Sequence, residues 1–201
     1  MTIDCKRPRV AIARVLAAAL WSACTLGLAQ AQNAPIDARA LPLASKRLPA
    51  SADECEVWKR EMSFARSVEA HDLGAFASFL HAGAVFDAGT ADADRGRDTV
   101  VKSWGEIVAG QSIALRWRPG IVHIGGEPTI AVSRGTFILQ RMKVGAPVFR
   151  VGMFQTVWVR DARDGTWRVL FDGSATSSQP MDDRAAAERW VEDQPMSDCA
   201  A

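Results

Sequence analysis

The sequence predicts an α+β domain, a cone-shaped curved antiparallel sheet packed on three N-terminal helices, with a further helix near the C-terminal end. Three observations carry this. Apolar residues recur at helical spacing through residues 51–110, then at a spacing of two through residues 113–172. Asp164-Gly165 places a hairpin turn between the last two alternating runs. Helical spacing returns once, over residues 181–193. Helices followed by a run of strands make an α+β order, not the alternation that builds a parallel sheet.

The chain opens with a segment that is not fold. Lys6, Arg7, Arg9 and Arg14 precede the apolar run VLAAALWSACTLGLA, and Ala29-Gln30-Ala31 fits a small-x-small cleavage site. Residues 1–31 read as a Sec-type signal peptide cut after Ala31, which predicts a periplasmic or secreted protein with no membrane attachment once it is removed. A lipoprotein site at Cys24 is the alternative, and bulky Trp21 stands where that motif wants a small aliphatic residue. Removing four basic residues and Asp4 turns the net charge of +1 into −2. Neither value is the footprint of a nucleic-acid binder. Residues 32–50, punctuated by Pro35, Pro42 and Pro49, read as a linker.

Residues 51–175 form the predicted domain. Ser51 and Glu54 have the spacing of a capping box, and Trp58, Met62, Ala65 and Val68 share one helical face. His71-Asp72 breaks this helix, and Leu73, Phe76, Phe79 and Leu80 make a second, ending near Gly83. A short strand covers residues 84–87. A third helix carries Val100, Val101, Trp104 and Ile107 and stops at Gly110. Strands follow at residues 113–124, 129–142, 148–160 and 166–172. Residues 176–201 hold the last helix and a tail. Cys55 and Cys199 remain after signal-peptide removal; they form either one bridge closing most of the domain or two separate thiols.

The chain resembles the nuclear transport factor 2-like superfamily. The residues that carry the resemblance are Asp72-Leu73-Gly74-Ala75-Phe76, Ala84-Val85-Phe86-Asp87, Gly96-Arg97-Asp98 before Trp104, Ala131 followed by Gly135, Gly152 to Trp158, and Gly165 to Asp172. The nearest likeness is to bacterial families related to the association domain of calcium/calmodulin-dependent kinase and to polyketide cyclase-like proteins. The resemblance implies a cone with a pocket at its mouth, often in a homodimer joined through the sheet. Such folds host isomerases, dehydratases, cyclases and non-enzymes, so the fold alone names no reaction.

The resemblance to the ketosteroid isomerase branch places Asp87 where that branch has its general base. It places Phe64 where the branch has a hydroxyl donor, and Gln155 where it has a protonated acid. With one donor lost and the other replaced by an amide, steroid isomerisation by that route is not expected. Asp87 is therefore read two ways: as a general base in a pocket with Phe64, Trp104, Trp117, Met153 and Gln155, or as a polar strand end that caps a turn. Arg134 and Arg150 could hold a carboxylate ligand or face water. Asp172 is read as the end of the last strand.

No cofactor or metal is expected. Asp92-Ala93-Asp94-Arg95-Gly96 lacks the ligand pattern of a calcium loop, and His71, His81 and His123 lack zinc spacing. No phosphate-binding glycine loop or nucleophile elbow is present. The leading functional reading is an exported binding protein for an apolar or aromatic small molecule. The alternatives are an isomerase, dehydratase or cyclase using Asp87 as base, and a protein-interaction domain whose cone is filled by its own Trp and Phe side chains.

Overall fold

The computed structural model describes residues 47–142 and 146–200. The expected signal peptide and its expected cleavage site, Cys24 and most of the expected 32–50 linker lie outside the described residues. Among the described residues no helix is long and apolar enough to cross a membrane.

The predicted capping box forms at the start of α1 (Ala52–Glu69): the Ser51 hydroxyl accepts from the Glu54 N–H, and the Glu54 carboxylate accepts from the Ser51 N–H. Such a cap contributes about 1 kcal/mol. Val57, Glu61, Phe64, Ala65 and Val68 form the buried face of α1. That face is rotated from the expected one, because Trp58 and Met62 stay half-buried at its edge. The Asp72 side chain caps α2 (Leu73–Phe79), which passes directly into a strand earlier than expected.

The strands are β1 (Arg47–Leu48), β2 (Leu80–Phe86), β3 (Asp94–Arg95), β4 (Ile113–Ile124), β5 (Ile130–Met142), β6 (Pro147–Arg160), β7 (Trp167–Ser174), β8 (Gln179–Met181) and β9 (Met196–Ser197). Helix α3 (Arg97–Ala109) ends at Gly110 in the left-handed region, where φ is 68°. Helix α4 (Arg184–Glu192) follows β8. The main sheet runs β3-β2-β7-β6-β5-β4, with β8 added to the far end of β6. It is mixed rather than wholly antiparallel, because β2 and β7 run parallel. No hairpin joins those two strands; β2 reaches β7 only through α3 and the long meander, so nothing forces them to oppose.

Register breaks at Pro119/Ile121 in β4 and opposite Val157/Trp158 in β7, where Leu170 is the extra residue, bend the sheet around the helices. Gly135 is required at the first bend, since a Cβ there would lie 2.1 Å from the Arg118 carbonyl oxygen. The inner face of the sheet and helices α1–α3 enclose one core, which includes Phe64, Phe76, Phe86, Trp117 and Trp158. Helix α4 instead covers part of the outer face, where Ala187 packs with Phe149 and Val151.

The C-terminal segment is tied back to the start of the domain. Cys55 and Cys199 form a disulfide with a Cα–Cα distance of 5.2 Å, which settles the choice the sequence left open. Beside it β1 pairs in parallel with β9, and the Asp198 carboxylate accepts from the Ala50 N–H. The last residues of the expected linker are thus structured by a contact distant in sequence.

Candidate functional site

Parallel pairing of β2 with β7 puts Phe86 opposite Asp172 and brings the next residue, Asp87, alongside. The Asp87 N–H donates to the Asp172 carbonyl oxygen at 2.8 Å. Asp87 then adopts a left-handed backbone, with φ 53°, and its carbonyl oxygen accepts from the Thr90 N–H and hydroxyl. Asp tolerates this conformation better than most residues. The turn therefore uses the Asp87 backbone, and its carboxylate is left to line a cavity.

That cavity has a volume of about 280 Å³, at the small end for a ligand site. Trp104, Leu115, Trp117, Phe137, Leu139 and Phe154 form its apolar wall. The wall is fixed from behind. Trp104 stacks on Phe76 at 5.4 Å and meets Phe86 and Trp117 edge-on, while Trp117 meets Phe64 edge-on at 5.1 Å. Asp87 and Asp172 are the titratable groups on the wall.

Asp172 is the deeper acid. Its Oδ1 accepts from the Thr156 hydroxyl at 2.7 Å. Burial, with the added repulsion of Glu61 and Asp87, pushes its carboxyl up to about 7. Burial and Asp94 push Asp87 above the usual carboxylate range as well. Glu61 stands behind the wall with no exposed surface, accepting from the Trp117 and Trp158 indole N–H groups at 2.8 Å each. Burial raises its carboxyl, and the two indole N–H groups, with the Ser133 and Thr156 hydroxyls nearby, oppose the rise. The buried Ser133 hydroxyl, one of those near Glu61, has no hydrogen-bond partner of its own.

The structure brings together Asp87, Trp104 and Trp117 of the residues singled out in the sequence. Three others stand elsewhere. Phe64 is a core residue behind Trp117, 1% exposed, and does not line the cavity. Met153 and Gln155 point to the outer face of β6, where Met153 lines a hollow beside α4 and Gln155 lines a separate one with Arg134. Phe154 and Thr156 take the inward positions instead, one residue out of step with the expectation.

The two arginines do not face the cavity as free cations. Arg134 is on the outer face. Arg150 donates through Nε to the Ser178 hydroxyl at 2.8 Å and through its terminal nitrogen to the Ser178 carbonyl oxygen. Ser178 lines the cavity, so Arg150 holds part of the wall in place.

Sequence reasoning missed Glu61 and dismissed Asp172. A signal for Glu61 existed: a carboxylate in the middle of the stripe Val57, Phe64, Ala65, Val68. Among the described residues, Cys55, Asp198 and Cys199 are grouped closely enough to hold a metal, but the two sulfurs are joined to each other.

No family model and no curated protein matches the chain. Solved structures do. A candidate aromatic ring hydroxylase from Novosphingobium aromaticivorans matches with a TM-score of 0.52 at 15% identity, over 66% of this chain and 96% of that one. A nuclear transport factor 2-like superfamily protein from Salmonella enterica serovar Typhimurium matches with a TM-score of 0.50 at 15% identity, over 64% and 94%. A ketosteroid isomerase-like protein from Erwinia carotovora atroseptica matches with a TM-score of 0.50 at 10% identity, over 64% and 100%. At such identities the likeness establishes the fold, which is the nuclear transport factor 2-like fold that the sequence motifs suggested.

Proposed function

We propose that this protein binds a small, largely apolar molecule in the aromatic cavity and sets the ligand's polar group against Asp172 and Asp87. One observation carries the reading: an apolar wall of rigidly packed aromatic rings, interrupted by two convergent acids with raised pKa values. The volume suits a compact molecule rather than a steroid. The cavity also speaks against the interaction-domain alternative, because Trp104 and Trp117 line the space instead of filling it.

A second reading, acid–base catalysis, is supported by the same pair. An Asp172 carboxyl near 7 can give or take a proton at neutral pH, and the more exposed Asp87 is the better candidate for the ionised base. We further propose that the protein acts after export. The Cys55–Cys199 disulfide suits an oxidising compartment, and the N-terminal basic and apolar pattern supplies the route. In this reading two copies meet on the outer sheet face, where Ile130 and Phe171 are exposed at 43% and 40%.

The test of the binding reading is a thermal-shift screen of apolar metabolites against the parent protein, Asp87→Asn and Asp172→Asn. A ligand at a hundred times its Kd adds about 2.7 kcal/mol to the parent. Hits whose shift is unaffected by both substitutions would place the ligand outside this cavity. Turnover of a hit that disappears in Asp87→Asn while binding persists would establish the catalytic reading. Sedimentation of the purified protein tests the dimer, and the N-terminus of the exported form tests cleavage after Ala31.

A further inference from the structure

The charges around the cavity are unbalanced. Asp87 reaches Asp172 from the end of β2, and Glu61 faces it from α1. From β6 the neutral Thr156 hydroxyl donates to it. Asp94, next to β2, adds a fourth acid facing Asp87. Among the described residues no cation lines the cavity: Arg134 on β5 is on the other side of the sheet, and Arg150 on β6 is bound to Ser178. Arg97, at the start of α3, donates through two nitrogens to the Leu80 carbonyl oxygen.

A carboxylate taken out of water without a cation is costly, and Asp172, the deeper of the two wall acids, meets that cost by holding its proton up to about 7. A ligand bringing its own positive charge would remove the cost. It would replace a proton on the acids, and its Coulomb attraction would act in a partly desolvated space. The remaining wall suits the same ligand, because indole and phenyl rings attract cations as well as apolar groups. An anionic ligand would meet repulsion from every acid that is ionised.

We propose that the cavity selects a small organic ammonium ion, with its N–H groups toward the Asp172 and Asp87 carboxylates and its apolar body against Trp104, Trp117 and Phe154. The proposal rests on the binding reading above and gives it a substrate class. Binding of the cation ionises Asp172 and releases its proton to solvent. Affinity therefore rises with pH through the range where Asp172 titrates, as long as the amine stays protonated.

The experiment uses three probes of one shape and different charge: benzylamine, benzyl alcohol and benzoate. Binding to the purified protein is followed by tryptophan fluorescence and by calorimetry. At pH 8 benzylamine is expected to bind at least about tenfold more tightly than benzyl alcohol, with benzoate weakest. Between pH 8 and pH 6 its affinity falls about tenfold, because Asp172 near 7 regains its proton, while benzyl alcohol shows no such fall. Asp172→Asn removes the preference for the amine and leaves benzyl alcohol bound; Asp87→Asn weakens the preference and serves if the first variant does not fold. Benzyl alcohol binding as well as benzylamine at pH 8, or benzoate binding best, overturns the charge proposal and leaves the pocket standing. No binding of any of the three at about 10 mM overturns the pocket reading with it, since compact fragments that fit a preformed apolar site bind in that range.

Discussion

Replacing Asp172 by Asn should stabilise the protein at pH 8 far more than at pH 5. The amide keeps the shape of the side chain and the acceptor for the Thr156 hydroxyl, but it never ionises. In the folded chain the Asp172 carboxyl is pushed up to about 7, against an ordinary 3.8. A carboxyl raised on folding contributes stability that is fully present below about pH 4 and is lost as pH rises to about 7. At roughly 1.4 kcal/mol for each unit of the difference, the full loss has a ceiling of about 4 kcal/mol. Asp172 faces a cavity open to solvent, so screening cuts this to about half, on the order of 2 kcal/mol. Most of that loss falls between pH 5 and pH 8, and the Asn variant is spared it. Its stability relative to the parent should therefore improve by about 1–2 kcal/mol over that interval. Urea unfolding followed by tryptophan fluorescence at the two pH values measures the change, and groups that titrate alike in both proteins cancel in the comparison. A relative stability unchanged between pH 5 and pH 8 would refute the claim that Asp172 is held protonated by its surroundings.

Three further outcomes are expected. Glu61→Ala removes the acceptor for two buried indole N–H groups and should cost roughly 3 kcal/mol or more, read as a fall in the urea midpoint with a change in tryptophan emission. Gly135→Ala drives a methyl group into the Arg118 carbonyl at the β4 bend and should cost about 1–3 kcal/mol or prevent folding, measured by thermal melting. Cys55→Ala opens a loop spanning 144 residues of separation and should lower stability by up to roughly 4–5 kcal/mol, with reductant producing the same loss in the parent and none in the variant.

How far the sequence could be read differs between helix ends, strands and the site. Helix ends were legible because their chemistry is local: Ser51 with Glu54 at the start of α1, and Gly110 at the end of α3. The strands β4, β5 and β6 were legible as strands to within a residue. Which way their side chains point was harder, because β6 is apolar on both faces. Phe149 and Val151 are covered by α4 and Phe154 and Trp158 by the core, so alternation alone could not assign Met153 and Gln155 to the outside. Asp172 escaped for a different reason. A polar residue near the end of a strand is ordinarily solvated; here the parallel partner β2 lies beside it and the Glu61 charge acts on it from α1, and both are remote in sequence. Asp87 was legible as a candidate for the cavity wall; the turn at this position is made by its backbone, so a place in the turn and a place on the cavity wall do not compete.

Glu61 links the stability of the core to the geometry of the site. A fully buried carboxylate is a poor way to stabilise a core, and an apolar residue of similar size would often do as well or better. Its hydrogen bonds have a consequence that an apolar residue could not supply. One fixes the indole of Trp117, a wall of the cavity, and the other fixes Trp158 two residues after Thr156, the residue that holds Asp172. A single buried group thus orients an aromatic surface and adds to the burial that raises the Asp172 carboxyl. If the cavity had no ligand, that arrangement would cost stability with nothing gained in return. The cost concentrates on the residues that line one small space, which is the pattern expected when stability is given up for a site.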